Sequence, residues 1–159
     1  MTPSDSERLP AVIAVEPARQ ESVERLLRLG EDFALSLYPA EECFMLPLSD
    51  LEKPGVTVFV ARVDGEAVGM AALVGKADGS AELKRLFVED RARGRGLAAG
   101  LLERAEAHAH EAGVSVIQLE TGTRSDAAIA LYEKRGFAHI PAFGEYIGSA
   151  SSVCMEKVL

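Results

Sequence analysis

The sequence predicts an α/β (α+β) fold, a mixed sheet with helices on its faces, from two observations. A β-rich hairpin and a further strand are followed by strand, helix, strand, helix and strand in alternation. A glycine-rich turn stands where one strongly β-like run gives way to a helical one.

Residues 1 to about 10 are polar, carry Pro3 and Pro10, and read as a flexible tail ahead of one domain over residues 11–159. Ala11-Val12-Ile13-Ala14-Val15 is the first expected strand, closed by Pro17. Val23, Leu26, Leu27, Phe33, Ala34 and Leu37 recur at near-helical spacing and predict a helix over roughly 19–37, with Gly30 as a break in it. Residues 39–55 hold three prolines and the polar run Ser49 to Lys53, and predict an irregular surface excursion.

Two β-rich runs, Val56–Val63 and Ala67–Val74, flank Asp64-Gly65, whose small and polar pair favours the positive φ angles of a tight hairpin turn. A third run, Ala81–Val88, leads into the glycine-rich segment. Leu97, Leu101, Leu102, Ala105 and Ala109 then mark one face of a helix ending at Gly113. A strand over 114–120, a short helix over about 125–135 ended by Gly136, and two strands around the loop 144–149 complete the order.

With 159 residues the chain is the size of one ordinary domain, and 48% apolar with 26% charged residues lies within the globular range. No apolar run approaches the ~20 residues that cross a bilayer, and the polar start lacks a signal-peptide pattern, so a cytoplasmic protein is expected. A net charge of −8 argues against a general nucleic-acid or anionic-membrane binder, which needs a basic field. Cys43 and Cys154 lack any CxxC or histidine spacing, so they are read as buried small hydrophobes, with no metal site and no disulfide framework.

The chemistry concentrates in Arg91-Ala92-Arg93-Gly94-Arg95-Gly96. Glycines there admit positive φ and close backbone approach, so that unpaired first-turn amides at the positive end of the helix dipole can cradle a pyrophosphate. Three arginines reverse the sign of an otherwise acidic chain at that one place. The P-loop pattern GxxxxGKS/T is absent, and glycines at 94, 96 and 100 are one residue too widely spaced for the dinucleotide-binding GxGxxG.

Arg91-x-x-Gly94-x-Gly96 resembles the Q/R-x-x-G-x-G/A signature of the GNAT family of N-acetyltransferases, and Ala128-Ile129-Ala130-Leu131-Tyr132-Glu133-Lys134-Arg135-Gly136-Phe137 resembles that family's downstream A-x-x-L-Y-x-K-x-G-F. The resemblance covers residues 56–159 by motif and 11–55 by the order of elements. It implies a mixed, mostly antiparallel sheet of about seven strands, splayed between strands 4 and 5, flanked by about four helices. It also implies acetyl-CoA as cosubstrate, a small-molecule amine or amino acid as acceptor, direct transfer, and a homodimer as a common assembly.

The cosubstrate contacts implied by the resemblance are Leu86, Phe87 and Val88 on the splayed strand and Arg91, Arg93, Gly94, Arg95 and Gly96 in the turn. Leu97 and Ala98 at the helix start, and Ser125 and Tyr132 further on, complete them. Ser125 stands where many members carry asparagine, so that amide contact is not carried over; a serine there suits a helix cap.

Thioester aminolysis needs a neutral amine, a stabilised oxyanion and a proton for the departing thiolate. Tyr132 is the candidate acid and Glu82, on the strand before the turn, the candidate base, with a water relay as the alternative. Backbone amides near Leu86–Val88 are the expected oxyanion donors. His108, His110 and His139 read as structural or solvent-facing, whereas Glu120, Thr121, Glu145 and Tyr146 are candidate acceptor contacts. A non-catalytic acyl-CoA-binding or sensing module is the competing reading, and a nucleic-acid binder using the three arginines is a third.

Overall fold

The computed structural model describes residues 11–159, so the expected tail over residues 1–10 lies outside the described residues. The strands are β1 (Ala11–Val15), β2 (Val56–Val63), β3 (Glu66–Gly75), β4 (Ala81–Val88), β5 (Val116–Gly122), β6 (Ala138–Ile140) and β7 (Ser152–Val158). They form one sheet in the order β1-β2-β3-β4-β5-β7-β6. Only β4 and β5 pair in parallel; the other neighbours are antiparallel. The helices are α1 (Glu21–Leu37), α2 (Leu48–Leu51), α3 (Leu97–Glu111) and α4 (Asp126–Lys134).

Alternation along the central strands separates two cores. Phe59, Ala61, Ala71 and Leu73 face α3 and α4, while Val58, Val60, Met70 and Ala72 face α1 and α2. Both faces are thus covered, which is why β2 and β3 read as continuous apolar runs. Asp64 and Gly65 take φ of 51° and 78°, the two positive angles that a two-residue hairpin of matching twist requires. No helix among the described residues is long and apolar enough to cross a membrane.

Three local expectations change. Gly30 does not break α1, because the helix packs there on Phe87, whose ring would stand 3.6 Å from an added Cβ. The stretch 39–55 is not wholly irregular: it holds a 3₁₀ turn at Ala40–Glu42 and the short α2. Strand β5 starts two residues later than the apolar run and continues to Gly122, since its outer edge pairs with β7 as far as Ser152.

Candidate active site

Parallel pairing of β4 and β5 lasts three residues, Ala81, Glu82 and Leu83 opposite Ile117, Gln118 and Leu119. Beyond it β4 continues through Val88 against β3, while Glu120–Gly122 pair only with β7. The strands part, and a cleft of 610 Å³ runs through the gap. A bulge helps: Arg85 and Leu86 together oppose Ala71, and Arg85 takes a positive φ of 59°. On the β5 side Leu86–Val88 have no strand partner; apart from the Val88 carbonyl, which accepts from Arg93, that edge is open to a ligand.

At one mouth of the cleft stands the glycine turn. Gly94 and Gly96 have φ of 81° and 76°, and a Cβ on either would meet nothing within 4 Å, so the glycines are required by backbone angle and not by space. Gly96 caps α3, whose first turn carries no acidic residue, leaving its amides and dipole open to an anion. Of the predicted cosubstrate residues, Leu86, Phe87, Val88, Arg93, Ala98, Ser125 and Tyr132 line the cleft. Gly94, Arg95 and Gly96 are exposed beside it. Leu97 is 5% exposed and its side chain belongs to the core. Arg91 pairs with Glu66 at 2.8 Å and Glu89 at 3.3 Å. Arg93 is held over the Phe33 ring at 5.0 Å and donates from Nε to the Val88 carbonyl.

Deeper in, the two candidate catalytic residues fall in different surroundings. Tyr132 is buried on α4 with its ring edge-on to Phe137, it lines the cleft, and burial pushes its phenol above the ordinary value, with the nearby Glu120 charge adding to the effect. Glu82 is buried too, but it is not among the lining residues. Lys76 Nζ lies 3.2 Å from Oε1, and Tyr146 donates to Oε2 at 2.5 Å. Lys84 stands 3.7 Å from the same oxygen. Glu120, one residue past the β4–β5 pairs, does line the cleft. Burial, opposed by a hydrogen bond from Ser152 and by the Lys84 ammonium, pushes its carboxyl up to about 7.

A second wall of the cleft comes from residues 37–46, tied down from β4. Lys84 donates to the Phe44 carbonyl at 3.1 Å, and Arg85 donates to the carbonyls of Leu46 and Leu27 and to Glu31. Tyr38 crosses the gap: its hydroxyl accepts from the Arg124 amide at 2.9 Å and shares a hydrogen bond with Ser125 Oγ. Ser125 therefore occupies the N-cap position of α4 without its side chain capping the helix. Cys154 is buried, as expected, but Cys43 is only partly so and lines the cleft, because it lies on this wall. His108 hydrogen-bonds Thr57 and stacks edge-on to Phe59, and His139 stands near Glu133; neither lines the cleft.

Sequence reasoning did not single out Lys84, Tyr38 or Arg124. Tyr38 directly before Pro39 at a helix end was the one local signal available. Glu120, Thr121 and Tyr146 are brought together at the cleft, whereas Glu145 is exposed and reaches Lys84 at 3.4 Å.

Comparison with known proteins bears on this geometry. The family model described as Acetyltransferase (GNAT) family matches residues 20–137. An IAA acetyltransferase of Azospirillum brasilense is 41% identical over 148 residues, covering 92% of this chain and 97% of that one. A solved Klebsiella pneumoniae protein, provisionally described as an acyl-CoA N-acyltransferase, superposes with a TM-score of 0.80 at 31% identity, covering 94% of this chain and 97% of that one. A GNAT family acetyltransferase of Elizabethkingia anophelis, solved with acetyl-CoA bound, shares the fold with a TM-score of 0.70 at 19% identity, over 94% of this chain and 98% of that one.

Proposed function

The chain belongs to the acetyltransferase (GNAT) family and is an acetyl-CoA-dependent N-acetyltransferase, and from that premise we propose that it acetylates the amine of a small molecule, with Glu120 as base and Tyr132 as acid. The observation that carries this reading is one cleft, lined both by a carboxyl raised to about 7 and by a buried phenol, that opens beside an unpaired helix N-terminus.

The residues present suit acetyl-CoA. The left-handed glycines and free amides before α3 fit a pyrophosphate, and Ala98, Ala128 and Leu131 give the cleft a narrow apolar wall for a flexible arm. When bound, the donor supplies an acetyl thioester. The edge of Leu86–Val88 that β5 leaves unpaired orients its carbonyl and offers amides where negative charge develops.

Glu120 removes the proton that frees the acceptor amine. A carboxyl near 7 is part ionised at neutral pH and still basic enough to take that proton, the compromise that general-base catalysis favours. Tyr132, held protonated by burial, gives its hydroxyl proton to the departing thiolate. Glu82 takes a positioning role: neutralised by Lys76 and bonded by Tyr146, it fixes Lys84 and the loop wall instead of facing the acceptor.

The test is a thermal-shift titration with acetyl-CoA against ATP and NAD, followed by thiol release on a panel of amines. A saturable shift for acetyl-CoA alone and acceptor-dependent thiol release are expected. Release without any acceptor dependence would leave a binding or hydrolytic role.

A further inference from the structure

We propose that the acceptor is an amine that also carries a carboxylate, an α-amino acid with an apolar side chain, and that Arg124 is the residue that reads the carboxylate. The inference rests on the proposed function for its placement of the amine at Glu120.

Among the described residues three arginines line the cleft, Arg85, Arg93 and Arg124. Arg85 is paired with Glu31 at 2.7 Å and Arg93 with Asp90 at 2.6 Å. Arg124 has no carboxylate partner among the described residues. Its Nη1 donates to the Leu37 carbonyl at 3.0 Å and its backbone amide to Tyr38 Oη at 2.9 Å, so both the side chain and the backbone that carries it are held at the cleft by uncharged acceptors. A turn closed by Ser125 N to the Gly122 carbonyl fixes the backbone that carries it. The guanidinium keeps donors free, in the planar fork that matches a carboxylate.

Lys84, the other cation at this end, is already taken by Glu82, Tyr146 and the Phe44 carbonyl. Glu120 and Arg124 come from the same strand end, four residues apart, one a base and the other an unneutralised cation. A molecule that carries both an amine and a carboxylate offers each its partner, and an α-amino acid is the simplest of that kind. The wall there is mostly apolar, Ala34, Leu37, Phe44 and Met45, and its one carboxylate, Glu42, already accepts from Ser151 at 2.8 Å, so an apolar side chain fits it best.

The proposal is tested on matched pairs that differ by the carboxylate alone: leucine against 3-methylbutylamine, phenylalanine against 2-phenylethylamine. The wild-type protein is expected to prefer each amino acid, and Arg124→Gln to lower the ratio of kcat/KM within a pair by about 10- to 100-fold, the usual range for losing a charge-assisted contact. Arg124→Lys, which keeps the charge and loses the fork, is expected to retain part of the preference. Turnover of the amines with no preference for the acids, or a preference that survives in Arg124→Gln, overturns the proposal while the acetyltransfer reading stands. A rise in the KM for acetyl-CoA in Arg124→Gln, with the pair ratio unchanged, assigns Arg124 to a donor phosphate and overturns it as well. Absence of acetyl-CoA-dependent turnover with every amine overturns both readings.

Discussion

The Tyr146 hydroxyl donates to Glu82 Oε2 at 2.5 Å while accepting from Lys84 Nζ at 2.6 Å. This chain of two bonds joins the loop before β7 to β4 and through Lys84 to the Phe44 carbonyl, so one phenol ties two walls of the cleft together. Tyr146 is 1% exposed, and Tyr146→Phe leaves a buried carboxylate and an ammonium each short of a partner. The expected loss of stability is about 1–3 kcal/mol in denaturant unfolding; a loss within error would show that water replaces the hydroxyl.

Glu120→Gln is expected to lower kcat/KM by about 100-fold or more at neutral pH. In the wild type, kcat/KM rises with pH as the carboxyl ionises and levels off above about 7, because only the charged form accepts the proton. The variant should lose that rising limb. An identical limb in the variant would place the base elsewhere.

The same group makes stability depend on pH. Its carboxyl titrates higher in the folded protein than in the unfolded chain, so between about 4.5 and 7 the folded state holds more protons. Its contribution is fully present below that window and is lost as pH rises through it, at about 1.4 kcal/mol for each pH unit in which the two states differ by a proton. Paired melts of wild type and Glu120→Gln at pH 5 and pH 8 read it out: the variant should gain on the wild type at the higher pH. Parallel behaviour at both would refute the burial of this carboxyl.

Tyr132→Phe removes the proton donor and leaves the ring packed on Phe137. Turnover should fall by about 100-fold, as for loss of a general acid, with acetyl-CoA affinity little changed. Unchanged turnover would reduce Tyr132 to a packing residue.

Gly96→Val forces a β-branched side chain to φ of 76°. Strain of about 1–3 kcal/mol is relieved by turning the peptide, and every 1.4 kcal/mol taken from the bound state costs about tenfold in affinity. Calorimetric titration with acetyl-CoA should show the loss, in protein whose circular dichroism is unaltered. Normal affinity would reject the glycine turn as the phosphate site.

The strand and helix order was legible because each central element satisfies its period locally: Asp64-Gly65 forces the hairpin, and Leu97 to Ala109 fix the buried face of α3. The glycine turn was legible for the same reason, since Gly94 and Gly96 answer a backbone requirement that no tertiary contact alters. Gly30 misled because a glycine inside a helix was read by propensity, whereas the helix runs through it and packs there on Phe87, more than fifty residues away. The different surroundings of Glu82 and Glu120 were not legible for a related reason. Both are strand carboxylates, and what separates them is what reaches them, Lys76 and Tyr146 for Glu82, Ser152 and the cleft for Glu120.

The three-residue seam between β4 and β5 also has a consequence for how the protein breathes. On one side lie β1 to β4; on the other, β5, β7 and β6 form a sheet from one continuous stretch of chain, residues 116–158. The seam is the shortest join in the middle of the sheet and, being parallel, must wait in folding for α3 to cross over. Backbone amides of residues 117–119 and 81–83 should therefore exchange with deuterium by a smaller opening than those of β2 and β3. A ligand that spans the gap would slow that exchange, tying the two halves together where the chain itself contributes least.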